Sequence, residues 1–265
     1  MIKLAFIVPH SPILIPSIGK ANNLLLEKTT AAYKKIEEKL IAAEIDKVII
    51  ISPHGQAQEN GLTLNVAPEF NINFEVFGDF SAKASITGDT VLAQEIKDDL
   101  KTETNIHLIS ETNIDYGSGI PIYLLSAALK NTKITPILTG NPELSEYFIF
   151  GQKLHEVLSS RDEKIAIIAS GDLSHKLKRR SPAGYSPKAA KFDNKVIEYL
   201  NSPETAMENI AKIDAKTISD VMECGLKPIA LLLGILQGQN FNPKMLAYQT
   251  ELGVGYLTMD MNLES

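Results

Sequence analysis

The sequence predicts an α/β fold: a single domain on a mixed central sheet with helices on both faces. Three observations predict it. The chain opens strand, helix, strand, the start of a βαβ unit. Apolar runs then alternate with helical patterns as far as residue 169. Several of those runs are continuously apolar, as strands covered on both faces must be. A chain of 265 residues with 44% hydrophobic content can bury one large core. No repeat or linker-like stretch divides it, so residues 1–265 read as one domain.

The elements follow in order. Phe6-Ile7-Val8 ends the first strand at Pro9. Leu26, Thr29, Tyr33, Ile36 and Leu40 recur at helical steps, with Lys34, Lys35, Glu37 and Glu38 on the wet side, which predicts a helix over 21–44. Residues 48–51 read as a strand buried on both faces. Residues 62–76 alternate, through Leu62, Leu64, Val66, Ile72, Phe74 and Val76, which predicts a half-solvated antiparallel pair. Helices are expected over 88–101, 118–131 and 144–160, with strands at 106–109, 133–138 and 165–169. Four helical patterns follow, over 187–201, 203–212, 215–224 and 228–237. Runs at 245–252 and 254–259 close the chain as a hairpin turning at Gly253, and 181–187 reads as a loop over the sheet edge.

Composition narrows the function classes. A net charge of -6 leaves one cationic cluster, Lys176, Lys178, Arg179 and Arg180. It reads either as a solvated loop or as an attractor for an anionic substrate. Nucleic acid is not expected as a partner, because phosphate neutralisation needs a broader cationic surface. Cys224 is the single cysteine, so no intrachain disulfide can form and a reducing, cytoplasmic setting is expected. Met1 to Val8 reads as a strand rather than a signal segment, since Pro9-His10-Ser11-Pro12 interrupts it. No run reaches the roughly 20 apolar residues that span a bilayer, so no membrane partner is expected. The helix faces single out no interface, and a homo-oligomer is compatible with them.

Three of the five histidines carry the functional signal. His10, His54 and His175 each follow an apolar run and a proline or glycine turn, where open α/β sheets place their chemistry. A lone histidine after a strand is most often a loop residue bonded to backbone; three at strand ends suggest one site. His107, inside a short strand, and His155, inside a helix, read as structural. Neutral imidazole binds first-row divalent metals, and two histidines with one carboxylate leave positions open for substrate and dioxygen. The helix break at Val221–Pro228 is the best source of a third ligand, from Glu223 or Cys224, with Glu251 a weaker competitor. A lone buried cysteine is also a common small hydrophobe. Asp172 could orient His175 or a ligand, although an aspartate bonding its own turn is the commoner role.

These segments carry a family resemblance. Val8-Pro9-His10-Ser11-Pro12, Ser52-Pro53-His54-Gly55, Ser170-Gly171-Asp172-Leu173-Ser174-His175 with Ala183-Gly184-Tyr185, and Glu223-Cys224-Gly225-Leu226-Lys227-Pro228 resemble the class III extradiol dioxygenases, the LigB-like superfamily. The match runs over most of the chain and is also similar to the Memo-like branch, in which the position of Cys224 is a cysteine. The resemblance implies His10 and His54 as metal ligands, Glu223 or Cys224 as the third, and His175 as the acid/base residue. It implies Fe(II), a small catechol-type diol and O2; zinc, copper or no metal are the alternatives. Where many ring-cleaving relatives carry a further histidine, this chain has Tyr116, whose phenol is a poorer proton shuttle near neutral pH. Of the adjacent pair, Glu223 is the expected ligand, because a hard carboxylate suits Fe(II) and a thiolate favours softer binding. The competing functions are a Memo-like metal- or ligand-binding accessory without ring cleavage, and hydrolysis by a zinc-bound water.

Overall fold

A computed structural model describes residues 1–100 and 105–264. β1 (Ile2–Val8) leads through α1 (Pro16–Gly19) to α2 (Glu27–Ala43) and β2 (Lys47–Ser52). β3 (Leu62–Asn65), β4 (Glu69–Phe74), β5 (Asp79–Thr87), α3 (Thr90–Leu100) and β6 (Ile106–Ile109) follow. Then come α4 (Tyr116–Leu124), β7 (Lys133–Leu138), α5 (Leu144–Ser159) and β8 (Ile165–Ser170). Helices α6 (Ala189–Leu200), α7 (Pro203–Ala211), α8 (Ala215–Val221) and α9 (Leu226–Ile235) precede β9 (Lys244–Gln249) and β10 (Tyr256–Asp260). Position 101 of the helix expected over 88–101 lies outside the described residues.

The main sheet has the order β6-β3-β7-β2-β8-β1-β10-β9. β7, β2, β8 and β1 run parallel, while β3 is antiparallel to β7 and β10 to β1. The sheet is therefore mixed, as predicted. Strand alternation sends Phe6, Val8, Val48, Ile50, Ala166 and Ile168 into one core with Tyr33, Ile36 and Leu40 of α2 and Ile120 of α4. Ile7, Ile49, Ile51, Ile167 and Ala169 face the other core, with Leu154 and Leu158 of α5 and the almost wholly apolar α9. That period of two is what puts helices on both faces. β2, β8 and β1 are parallel neighbours, so their carboxyl ends share one edge, and His54, His175 and His10 follow those ends.

The alternation over 62–76 resolves differently from a hairpin. Leu62–Asn65 is buried throughout and joins the main sheet between β6 and β7, whereas Glu69–Phe74 pairs with β5 in a separate two-stranded sheet. Pro68 separates the two, and β5 escapes a hydrophobicity reading because much of Asp79–Thr87 is polar or small. The last hairpin is present, with Gly253 at φ +80 in its turn. Among the described residues no helix is long and apolar enough to cross a membrane.

Candidate metal centre

Each candidate side chain is placed by a strand end or a helix break. Beyond β1, the Pro9 carbonyl accepts a hydrogen bond from the Tyr33 hydroxyl at 2.5 Å, and the His10 amide donates to Asp172 Oδ1 at 3.0 Å. The buried His10 ring faces Ser170 Oγ through Nδ1 at 3.0 Å and His54 Nε2 through its own Nε2 at 3.1 Å. Beyond β2, the His54 amide donates to Ser52 Oγ, which donates to Asp115 Oδ1 at 2.5 Å. Asp115 also caps α4 by accepting from the Ser118 amide and hydroxyl. This ties the end of β2 to the start of α4 and stacks Tyr116 on His54, with ring centroids 4.3 Å apart and the Tyr116 hydroxyl 2.9 Å from His54 Nε2.

The third position comes from the α8–α9 break. Met222 takes a left-handed φ of 52 and ends α8, turning the next residues back toward β8. Gly171 and Gly225 let the two backbones touch: a Cβ on Gly171 would run into the Gly225 Cα. The contact is sealed by the Cys224 amide donating to the Asp172 carbonyl at 3.1 Å and the Asp172 amide donating to Cys224 Sγ at 3.3 Å. Cys224 Sγ thus stands 3.5 Å from His10 Nε2, and the ligand atoms of His10, His54 and Cys224 lie within 4.8 Å of one another. Gly171→Ala is expected to cost about 2 kcal/mol by overpacking backbone against backbone. A thermal midpoint lowered by about 4 to 8 °C would register it; an unchanged midpoint would contradict the contact.

The electrostatics suit a cation. Burial lowers the His10 pKa well below its ordinary value, aided by the nearby His54 and His175. Burial and His175 lower His54 to about 4. Both imidazoles are therefore neutral at pH 7, the form that binds metals. Two neutral nitrogens and a sulfur, converging from three segments, make a donor set that fits a first-row divalent ion.

Residues 4–259 match the family described as the catalytic LigB subunit of aromatic ring-opening dioxygenase. The chain belongs to the LigB family. Protein CA_C1420 of Clostridium acetobutylicum is 28% identical over 267 residues, covering 97% of this chain and 56% of that protein. The chain thus spans about half the length of this curated relative. The crystal structure of the uncharacterized protein JW3007 from Escherichia coli K12 is similar in fold, with a TM-score of 0.68 at 19% identity over 98% of this chain and 99% of that one. LigB membership supports a dioxygenase-like or related role.

Of the adjacent pair at the helix break, the structure brings Cys224 and not the expected Glu223 beside the histidines. Glu223 points away from the histidines: its Oε2 accepts from the Leu226 amide at 2.6 Å and caps the start of α9. Burial raises its pKa to about 7. Cys224 is the residue beside His10, held there by its hydrogen bonds to Asp172 across the Gly171–Gly225 contact. Burial, with Asp172 nearby, holds the Cys224 thiol well above its ordinary pKa. Glu251 lies in the β9–β10 turn, accepting from its neighbour Thr250, and takes no part.

His175 is near enough to bear on the charges of His10 and His54, and its Nε2 lies 3.9 Å from Asp172 Oδ2. Its amide donates to the Val221 carbonyl, fixing it to the end of α8. Burial lowers its pKa, partly offset by backbone groups of Met222 and Leu173. Asp172 does more than bond its own turn, since it reaches the His10 amide and faces His175; burial raises its pKa to about 7. Tyr116, raised to about 12 by burial, stays a hydrogen-bonding phenol. His107 and His155 bond the carbonyls of Asn60 and Ile235, far from this edge. Lys178 reaches the Glu251 carbonyl, and Arg179 and Arg180 are exposed, as in a solvated loop. A cavity of about 640 Å³ opens elsewhere, beside Phe241 and Gln237, and holds none of these side chains.

Sequence reasoning missed Ser52, Asp115 and Ser170, which orient the ring-bearing segments, and Phe77. Phe77 packs edge-on against Tyr116 at 5.4 Å and brings the β4–β5 hairpin over the site. It also missed buried Asp193, which accepts from the Ser174 amide at 2.9 Å and holds the turn before His175. Nothing in the spacing of these residues signals their roles.

Proposed function

We propose that the chain is a metal-dependent, dioxygenase-like protein. His10, His54 and Cys224 hold a divalent metal, and the open side of the site takes a small aromatic diol with O2. The observation that carries this reading is the convergence of the His10, His54 and Cys224 ligand atoms within 4.8 Å of one another. Fe(II) bound there would supply the redox chemistry that joins O2 to an aromatic diol. The chain's own residues do the rest. His175, neutral near pH 7 because burial lowers its pKa, accepts a proton from a diol hydroxyl. Asp172 faces it and steadies the imidazole. The Tyr116 hydroxyl, 2.9 Å from His54 Nε2, offers a hydrogen bond to bound diol or oxygen, and Phe77 limits water on the hairpin side. Anaerobically purified protein that retains iron and consumes O2 with a catechol panel, yielding a muconic semialdehyde type product, supports the reading. Oxygen uptake at background with iron bound would overturn ring opening.

The sulfur donor favours a second reading. A thiolate beside two imidazoles suits copper or zinc better than a carboxylate would. Tyr116 replaces a histidine expected of ring-cleaving relatives. The cysteine is the feature that resembles the Memo-like branch, and the tyrosine weakens ring cleavage, so together they favour a metal- or ligand-binding protein without that activity. Copper retained in place of iron, with no oxygen uptake, selects it.

Metal binding should depend on pH in a definite direction. Burial keeps His10 and His54 as neutral imidazoles in the neutral range, so they contribute no slope there. The thiol, raised by burial, is protonated through the neutral range and must lose that proton to bind. Affinity is therefore expected to rise about tenfold per pH unit between pH 6 and 8, with one proton released per metal. Calorimetry in buffers of different ionisation enthalpy counts that proton, and a flat profile would remove the thiolate from the ligand set.

A further inference from the structure

We infer that Pro121 and Ser170 are positioning residues that fix the tautomer of His10 and aim its Nε2 lone pair at the site. The inference deepens the metal-centre reading and starts from covalent chemistry. Pro121 sits inside α4, four residues after Gly117, and proline has no backbone N–H. The Gly117 carbonyl therefore lacks its i+4 helical donor. Its partner is instead the Ser170 hydroxyl, which donates to it at 2.5 Å.

A serine hydroxyl has one proton. With that proton committed to Gly117, Ser170 Oγ can only accept from His10 Nδ1, 3.0 Å away. His10 is then the Nδ1–H tautomer, and its Nε2 is a bare lone pair facing His54 Nε2 at 3.1 Å and Cys224 Sγ at 3.5 Å. A ligating histidine held through its other N–H by a fixed acceptor is the usual support for metal affinity. Here the acceptor owes its orientation to a proline on another element. The site tolerates this because Gly117 admits no side chain: a Cβ there would strike Ser52 Oγ.

The test reads the tautomer directly. In full-length protein with 15N-labelled histidine rings, the His10 signals are assigned by their loss in His10→Gln. His10 should show a protonated, pyrrole-type Nδ1 and a pyridine-type Nε2 at pH 7. Pro121→Ala restores a helical donor to Gly117 and frees the Ser170 hydroxyl to donate to Nδ1, so the His10 signals should move toward the Nε2–H tautomer. Zinc affinity should fall about tenfold. Ser170→Ala removes the acceptor and should weaken zinc at least as much. His107 and His155 should not move in either variant. A wild-type His10 protonated on Nε2 overturns the inference outright. So does a Pro121→Ala protein with unchanged His10 signals and unchanged zinc affinity. The tautomer is read without metal or substrate, so failure of ring opening leaves this result standing, and failure here leaves the ligand set standing.

Discussion

Cys224→Ser is expected to weaken metal binding by roughly 100-fold or more, while Glu223→Gln leaves it within a few-fold. The expectation follows from where the two side chains go. Cys224 Sγ lies 3.5 Å from His10 Nε2 within the three-ligand cluster. Glu223 is occupied with the Leu226 amide at the start of α9. A serine hydroxyl in the same place does not ionise near neutral pH and is a weak donor to a divalent ion. Glu223→Gln keeps a carbonyl oxygen for the Leu226 amide, so the turn survives. Metal titration of both variants decides between them. Loss in the glutamine variant alone would mean that the break rearranges on binding and brings the carboxylate in. Loss in the serine variant alone strengthens the sulfur-ligand reading, and with it the Memo-like alternative.

The contrast between these neighbours shows how far the sequence could be read. His10, His54 and His175 were legible because each follows a buried parallel strand, and β2, β8 and β1 turn out to be adjacent. Parallel strands carry their carboxyl ends to one edge, so a residue just past a strand end is placed without knowledge of side-chain packing. A helix break offers no such rule. Successive positions there point in different directions, and the left-handed Met222 that ends α8 is not signalled by the sequence. The same limit explains β4 and β5. Alternation over 62–76 was genuine, but two strands of one pattern can belong to different sheets. The partner β5 is mostly polar or small and leaves little hydrophobic trace.

The supporting residues were hidden for a different reason. Ser170 belongs to a motif that was noticed, yet its hydroxyl matters through the carbonyl of Gly117, 53 residues away. Asp115 likewise acts through Ser52 and Ser118. The Asp115–Ser118 cap is local, but the Ser170–Gly117 and Ser52–Asp115 contacts exist only once α4 has docked against the carboxyl edge, and no local pattern encodes them.

His175→Ala is expected to keep the metal and lose turnover by roughly 10²- to 10⁴-fold, the range for removing a general acid/base. His175 contributes no atom to the three-ligand cluster. Its Nε2 lies 3.9 Å from Asp172 Oδ2. Truncation therefore leaves His10, His54 and Cys224 in place. His175 is uncharged near pH 7, and burial keeps His10 and His54 neutral without it, so their affinity for metal should not fall. His54→Ala should fail the opposite way, losing metal first and turnover as a consequence. Metal content and single-turnover rates measured on the same samples separate the two. If His175→Ala lost metal as thoroughly as His54→Ala, His175 would be a ligand rather than a base. The proton from the diol would then need another acceptor, with the buried Asp172 carboxyl the nearest in reach.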